Sequence, residues 1–170
     1  MSSYRQILYH IIFRTKNSRK TLIPDHSKEL YAYFSGILRN KGCFLYRING
    51  MEDHIHILSD LNPTIGLADF MRDIKTSTSI WLKHSGSFPE FTGWADGYAA
   101  FTYTWKDKEM IVNYIKHQQE HHKLESFEDE VRRLLKEHGI EIDETNRTHK
   151  REFAWANRLL EAFNLEIHGK

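Results

Sequence analysis

The chain has 170 residues, enough for one domain with an appendage around a real core, and its 24 Lys and Arg against 23 Asp and Glu leave a formal charge of only +1. No apolar run approaches the ~20 residues that span a bilayer, and the N-terminus lacks the apolar core of a signal peptide, so a cytoplasmic protein with no membrane partner is expected. A single cysteine, Cys43, excludes an intrachain disulfide and fits a reducing compartment; flanked by Phe44 and Leu45, it reads as a buried, inert thiol.

The balance of charge is uneven along the chain. Residues 1–124 carry 16 basic side chains against 12 acidic ones, and residues 125–170 carry 8 against 11. The positive excess therefore sits in the longer segment, a mild bias for a protein that meets nucleic acid.

In chain order, residues 4–15 are rich in β-branched and aromatic side chains and predict a strand. Residues 16–20 form a polar, basic loop, after which Pro24-Asp25 predicts a helix start with Asp25 as its cap. Leu30, Phe34, Ile37 and Leu38 recur at helical spacing, and Lys41-Gly42 closes that helix. Residues 43–48 are a second strand, and Asn49-Gly50 signals a tight turn that would pair it antiparallel with the next strand.

That next strand holds Met51-Glu52-Asp53-His54-Ile55-His56-Ile57-Leu58. Side chains alternate along a strand, so His54 and His56 project from one face while Ile55 and Ile57, with Leu58 adjoining, seal it to a core. Two imidazoles on a rigid strand can chelate one metal ion. An isolated His-apolar-His triplet is equally a polar face of an edge strand, and a metal reading needs a second partner in the chain.

A helix is predicted from Thr64 to about Ser85-Gly86, its recurring apolar face drawn from Ile65, Leu67, Ala68, Phe70, Met71, Ile74, Ile80, Trp81 and Leu82. Residues 87–93 read as loop and 98–105 as a strand of alternating aromatics. Lys106-Asp107 opens a helix in which Tyr114 and Gln118, four apart, share a face with His121 one turn further. Residues 127–138 form a short amphipathic helix through Val131, Leu134 and Leu135, stopped by Gly139; 140–150 is polar and irregular, and 153–163 is again helical, with a stripe of Phe153, Ala156, Leu159, Leu160 and Phe163 suited to packing. The order strand, helix, strand, strand, helix, strand, helix predicts an α+β, ferredoxin-like split βαβ core: an antiparallel sheet with helices on one face, carrying a helical C-terminal extension.

A strand bearing His-hydrophobic-His followed by a helix bearing Tyr-x-x-x-Gln resembles the single-tyrosine HUH transposases that mobilise bacterial insertion sequences and REP elements. The similarity extends to Tyr9-His10-Ile11-Ile12-Phe13-Arg14-Thr15-Lys16 as the first strand, to Lys75-Thr76-Ser77-Thr78-Ser79-Ile80-Trp81 on the second helix, and to Trp94-Ala95-Asp96-Gly97-Tyr98-Ala99-Ala100-Phe101 ahead of the tyrosine helix. Matches run in family order from about Tyr4 to Lys123. The resemblance implies a catalytic domain over 1–124 with 125–170 as an extension.

It also implies a metal-dependent transposase that cuts and rejoins single-stranded DNA, with hairpin-bearing ends as target, working among nucleoid DNA. Tyr114 would be the nucleophile, giving a 5′-phosphotyrosine link and a free 3′-hydroxyl, and His54, His56 and Gln118 would be the metal ligands. Imidazole with oxygen donors suits Mn²⁺, and Mg²⁺ is admissible where water and phosphate complete its shell. A phenol of pKa near ~10 needs a proton acceptor, for which His117 and His121 are within reach on the helix. Arg14, Lys16, Arg19 and Lys20 form the best basic cluster for phosphate, Lys75 and Lys116 are single candidates, and Trp94 or Tyr98 could stack on bases. The resemblance further implies a homodimer whose sites are composed in trans. A domesticated DNA-binding regulator of the same fold and a replication or transfer nickase are the alternatives. The intact motifs weigh against the first and the short chain against the second.

Overall fold

The computed structural model describes residues 4–140, and the helix predicted over 153–163 lies outside them. The chain divides into two units, Met1–Leu124 and Glu125–Lys170. In the first, strand β1 (Leu8–Arg14) leads to helix α1 (Ser27–Asn40), the hairpin of β2 (Leu45–Gly50) and β3 (His54–Ser59), helix α2 (Leu67–His84), strand β4 (Ala99–Tyr103) and helices α3 (Lys108–Lys116) and α4 (Gln118–His121). The sheet order is β2-β3-β1-β4, with every neighbouring pair antiparallel. This is the predicted split βαβ arrangement: β1 and β2 run parallel with β3 inserted between them.

Alternation along the strands gives the sheet two different faces. Ile11 and Phe13 of β1 and Ile55 and Ile57 of β3 pack with Leu30, Phe34 and Leu38 of α1 and with Phe70, Met71, Ile74 and Leu82 of α2. Leu30, Phe34 and Leu38 recur every four residues, as do Phe70, Ile74, Thr78 and Leu82 with Met71 beside them, which puts each set in one stripe on its helix. Each such side chain taken out of water contributes about 1.5–3 kcal/mol, so this layer is the main source of cohesion. Helices on one face holds for α1 and α2. Helix α3 crosses the opposite face, where Ile111 and Ile115 meet Leu8 and Leu58. Leu58 thus seals the histidine face, one position out of phase with Ile55 and Ile57.

Three local features differ from what the sequence predicts. Asp25 does not cap α1: Pro24–His26 is a separate 3-10 turn closed by His26 N–H donating to Ile23 O at 3.1 Å, and α1 starts after His26. Asn49-Gly50 is not the hairpin turn either. Both residues are inside β2, paired with His56 and Ile55, and the turn is Met51-Glu52-Asp53, closed by Met51 N–H to His54 O at 3.0 Å. Glycine is needed at 50 because a Cβ there would meet the His54 carbonyl oxygen at 2.2 Å. The third feature is the tyrosine helix, which starts as a 3-10 turn at Trp105–Asp107 and is interrupted at His117.

Asn49 is freed from turn duty to hold that interrupted helix. Its Nδ2 donates to Ile115 O at 2.9 Å and to Lys116 O at 3.0 Å, occupying carbonyls that the end of α3 leaves without helical partners. Gln119 Nε2 returns a bond to Asn49 Oδ1 at 3.2 Å and another to Gly50 O at 3.2 Å. Elsewhere Cys43 is buried, and burial pushes its thiol pKa up, as expected of an inert cysteine. Among the described residues no helix is long and apolar enough to cross a membrane.

In the second unit, α5 (Phe127–Glu137) is the predicted amphipathic helix, with Val131, Leu134 and Leu135 buried. Ser126 caps it by accepting from Asp129 N–H at 3.2 Å, and Gly139 ends it at φ +68. Arg133 ties Glu125 to Glu137 along its surface.

Asn49→Ala should leave the sheet intact and lower the unfolding free energy by about 1–3 kcal/mol, because helix-end carbonyls lose a buried donor. Gly50→Ala should cost more, since its Cβ meets backbone. Urea unfolding of the two variants checks both, and an Asn49→Ala protein as stable as wild type removes the clamp.

Candidate functional site

His54 and His56 stand side by side on the β3 face that α3 covers, their ring centroids 5.1 Å apart and their side chains 1 % and 0 % exposed. Imidazoles so buried need hydrogen-bond partners. His54 Nδ1 lies 2.6 Å from Asp53 Oδ1, and His56 Nδ1 lies 2.9 Å from Nε2 of His10 on β1. With both Nδ1 atoms committed, Nε2 is the atom each ring offers to a cation. Burial lowers the His54 pKa to about 4, with Asp53 opposing the shift, so the ring is neutral and able to ligate. Burial would raise the Asp53 carboxyl, but the hydrogen bond from His54 holds it below the usual range.

The tyrosine approaches from α3 in the same chain. Its ring is 6.3 Å from that of His56, 6.0 Å from that of His10 and 4.9 Å from that of His121. Tyr114 and Gln118 do not ride on one continuous helix. At His117 the backbone turns to φ −101 and ψ 26, its N–H shared between Asn113 O and Tyr114 O, and α4 restarts at Gln118, which is fully buried. The His117 imidazole is turned to its own helix, with Nδ1 donating to Asn113 O at 2.8 Å. Of the two histidines named as proton acceptors, His121 is the one beside the phenol.

Two residues join the site that sequence reasoning did not name. His122 follows α4, with its N–H bonded to Gln118 O at 3.0 Å, and its ring is 4.6 Å from that of His54. The signal was its spacing of four from Gln118, hidden beside His117 and His121 in the same segment. His10 had no local signal at all, because it reaches His56 only through the pairing of β1 with β3.

The basic candidates separate into two places. Arg14 is opposite His54 in the β1–β3 register and is 7 % exposed, with Nη1 donating to Ser18 Oγ at 2.5 Å. Asn17 and Ser18 that follow have φ of 57 and 50, a left-handed turn that bends the basic loop back on itself. Lys16 is joined through its N–H to Gly93 O, while Arg19 and Lys20 pair with Glu90 at 3.6 Å and Glu52 at 3.8 Å near the surface. Lys75 lies on the α1–α2 side of the sheet. Its Nζ donates to Ala95 O at 3.0 Å and to Gly97 O, and burial lowers its pKa to about 8. It borders a groove of about 590 Å³ with Lys16, Arg72, Thr76, Ser79 and Tyr98. Trp94 is a core ring, 4.9 Å from Phe13, with Nε1 donating to Thr78 Oγ1 at 2.9 Å.

The donor set fits a divalent cation. Ligand nitrogens of His54, His56 and His122 lie within 4.8 Å of one another, close enough for one ion to draw together, and the neutral amide oxygen of Gln118 suits the same class of metal. The phenol of Tyr114 stands beside that cluster, and Arg14 is next to it on the neighbouring strand.

The sequence profile described as "Transposase IS200 like" matches residues 3–118. The transposases for insertion sequence element IS200 of Salmonella typhimurium and Salmonella typhi are each 26 % identical over 121 residues, covering 68 % of this chain and 79 % of theirs. A Deinococcus radiodurans protein assigned as a transposase superposes with a TM-score of 0.54 at 22 % identity, covering 69 % of this chain and 95 % of its own. A REP-associated tyrosine transposase bound to a REP hairpin gives 0.50 at 18 % identity, over 69 % of this chain and 72 % of its own. The fold is shared with those two structures, and because the profile spans more than half of its length, the chain belongs to the family of IS200-like transposases.

Proposed function

We propose that residues 1–124 are the catalytic domain of a metal-dependent transposase that cuts and rejoins single-stranded DNA at hairpin-bearing ends, with 125–170 as an extension. The observation that carries this reading is the Tyr114 ring 6.3 Å from the His56 ring, on the sheet face that presents the histidine pair. His54, His56 and Gln118 are the proposed ligands of Mn²⁺ or Mg²⁺, with His122 as a further donor. Such an ion, when bound, offsets charge that develops on the phosphate oxygens. The relative bound to a REP hairpin supports hairpin DNA as the partner class.

In the cutting step Tyr114 Oη attacks phosphorus, the bond from phosphorus to the 3′ oxygen breaks, and the DNA leaves with a 3′-hydroxyl. The phenol proton passes to a base, for which His121 is placed best, and the departing 3′ oxygen takes one up. Rejoining runs the same exchange backwards from a 3′-hydroxyl onto the 5′-phosphotyrosine, so no nucleotide cofactor is consumed. Arg14, Lys16, Arg19 and Lys20 are the proposed phosphate contacts, Arg14 being opposite His54 in register, and Lys75 is a further one in the groove that Lys16 also borders.

His54→Ala and His56→Ala should each abolish Mn²⁺ binding in calorimetry while the fold survives. Unchanged affinity in both variants would sink the metal assignment. Tyr114→Phe should bind the single-stranded DNA that flanks its own gene nearly as well as wild type and yield no covalent adduct on denaturing gels; an adduct that persists moves the nucleophile elsewhere.

The homodimer is proposed on family resemblance, with sites composed in trans. The neighbouring positions of Tyr114 and His56 within one chain favour a second reading, in which each site is composed in cis. Heterodimers of His54→Ala with Tyr114→Phe separate the two. In trans one complete site per dimer survives, and activity approaches half that of wild type; in cis neither site is complete and cleavage is absent.

A further inference from the structure

Position 10 is a place where a phenyl ring would be expected. It is fully buried on β1, with the rings of Phe101 at 6.3 Å, Tyr103 at 6.1 Å and Tyr114 at 6.0 Å. An imidazole there pays for desolvation that a phenyl avoids, so its polar atoms must have a use. One use is the 2.9 Å bond between His10 Nε2 and His56 Nδ1, made across the diagonal of the β1–β3 pairing in which His10 faces Leu58 and Ile12 faces His56.

A bond between two neutral imidazoles carries one proton, and its owner decides what the outer nitrogen of His56 can do. If His56 Nδ1–H donates to His10 Nε2, His56 Nε2 keeps a lone pair. If His10 donates, His56 Nε2 carries the ring proton and cannot ligate. We propose that His10 is a positioning residue that holds His56 in the Nδ1–H form, so that Nε2 serves the divalent cation; this rests on the metal reading above. The neighbouring ring is held in the same way, since the Asp53 carboxylate at 2.6 Å from His54 Nδ1 can only accept. Two different acceptors thus do one job. The imidazole acceptor adds no negative charge beside a site meant for a phosphate anion, whereas a second carboxylate would repel that substrate.

The decisive measurement uses ¹⁵N-imidazole correlation spectra of the full-length, metal-free protein. His56 should show a protonated Nδ1 and an unprotonated Nε2. In His10→Phe, a size the surrounding rings accept, His56 should shift towards the Nε2–H form and Mn²⁺ affinity should fall by about 10–100-fold. His10→Gln, whose side-chain oxygen can accept from Nδ1–H, should restore both, which a purely packing role would not predict. Nε2–H on His56 in the wild-type spectrum overturns the proposal without reference to any variant. So does a His10→Phe protein that retains the Nδ1–H form and wild-type affinity when His56→Ala has lost Mn²⁺. If His56→Ala binds Mn²⁺ as tightly as wild type, the metal reading fails and takes this proposal with it.

Discussion

Two imidazoles taken fully out of water on a single strand impose the constraint from which the rest of the site follows. Each must be given a hydrogen-bond partner, and the partner chosen decides which tautomer the ring holds. Asp53 comes from the hairpin turn next to His54, whereas His10 comes from a strand more than forty residues away in sequence. The antiparallel register of β1 with β3 is therefore a chemical device as much as a structural one. Sliding it by one residue would turn His10 to the opposite face and bring Ile11 against the histidines.

The same economy governs the tyrosine. Helix α3 is held to the sheet by Ile111 and Ile115 against Leu8 and Leu58, and its end is clamped by Asn49 and Gln119. Asn49 is paired with His56 in the β2–β3 ladder, so the residue that anchors the tyrosine helix is a direct backbone neighbour of a proposed ligand. The break at His117 gives Gln118 and His122 an orientation of their own, distinct from the helix that carries Tyr114. A continuous helix would have tied all three to one straight face.

The basic side chains near the histidines are held in different ways. Arg14 is the basic residue closest to the histidines by register, and it is steadied by Ser18 on a left-handed turn. The ion pairs of Arg19 and Lys20 are exposed and long, worth little against a phosphate that competes for them. Lys75 is different: its bonds to the Ala95 and Gly97 carbonyls fasten α2 to the segment leading into β4, so it has a structural duty whatever it does with DNA.

Much of this was legible in the order of residues, because it depends on periodicity and neighbours along the chain. Alternation in β3 put His54 and His56 on one face and Ile55 and Ile57 on the other, and the helical spacing of Leu30, Phe34 and Leu38 marked the stripe that α1 buries. Element order alone predicted the split βαβ sheet, and two short motifs in sequence carried the family. What the sequence did not disclose are the effects that act across space. Asn49-Gly50 has the composition of a turn, but close approach of β3 and the need to cap α3 draw it into the strand. His10 and His122 acquire meaning only when pairing and packing bring them to the histidine pair, whereas Asp53, next to His54 in the chain, gains its part from the hairpin turn that sets its carboxylate against Nδ1; an imidazole's tautomer is set by what touches its other nitrogen.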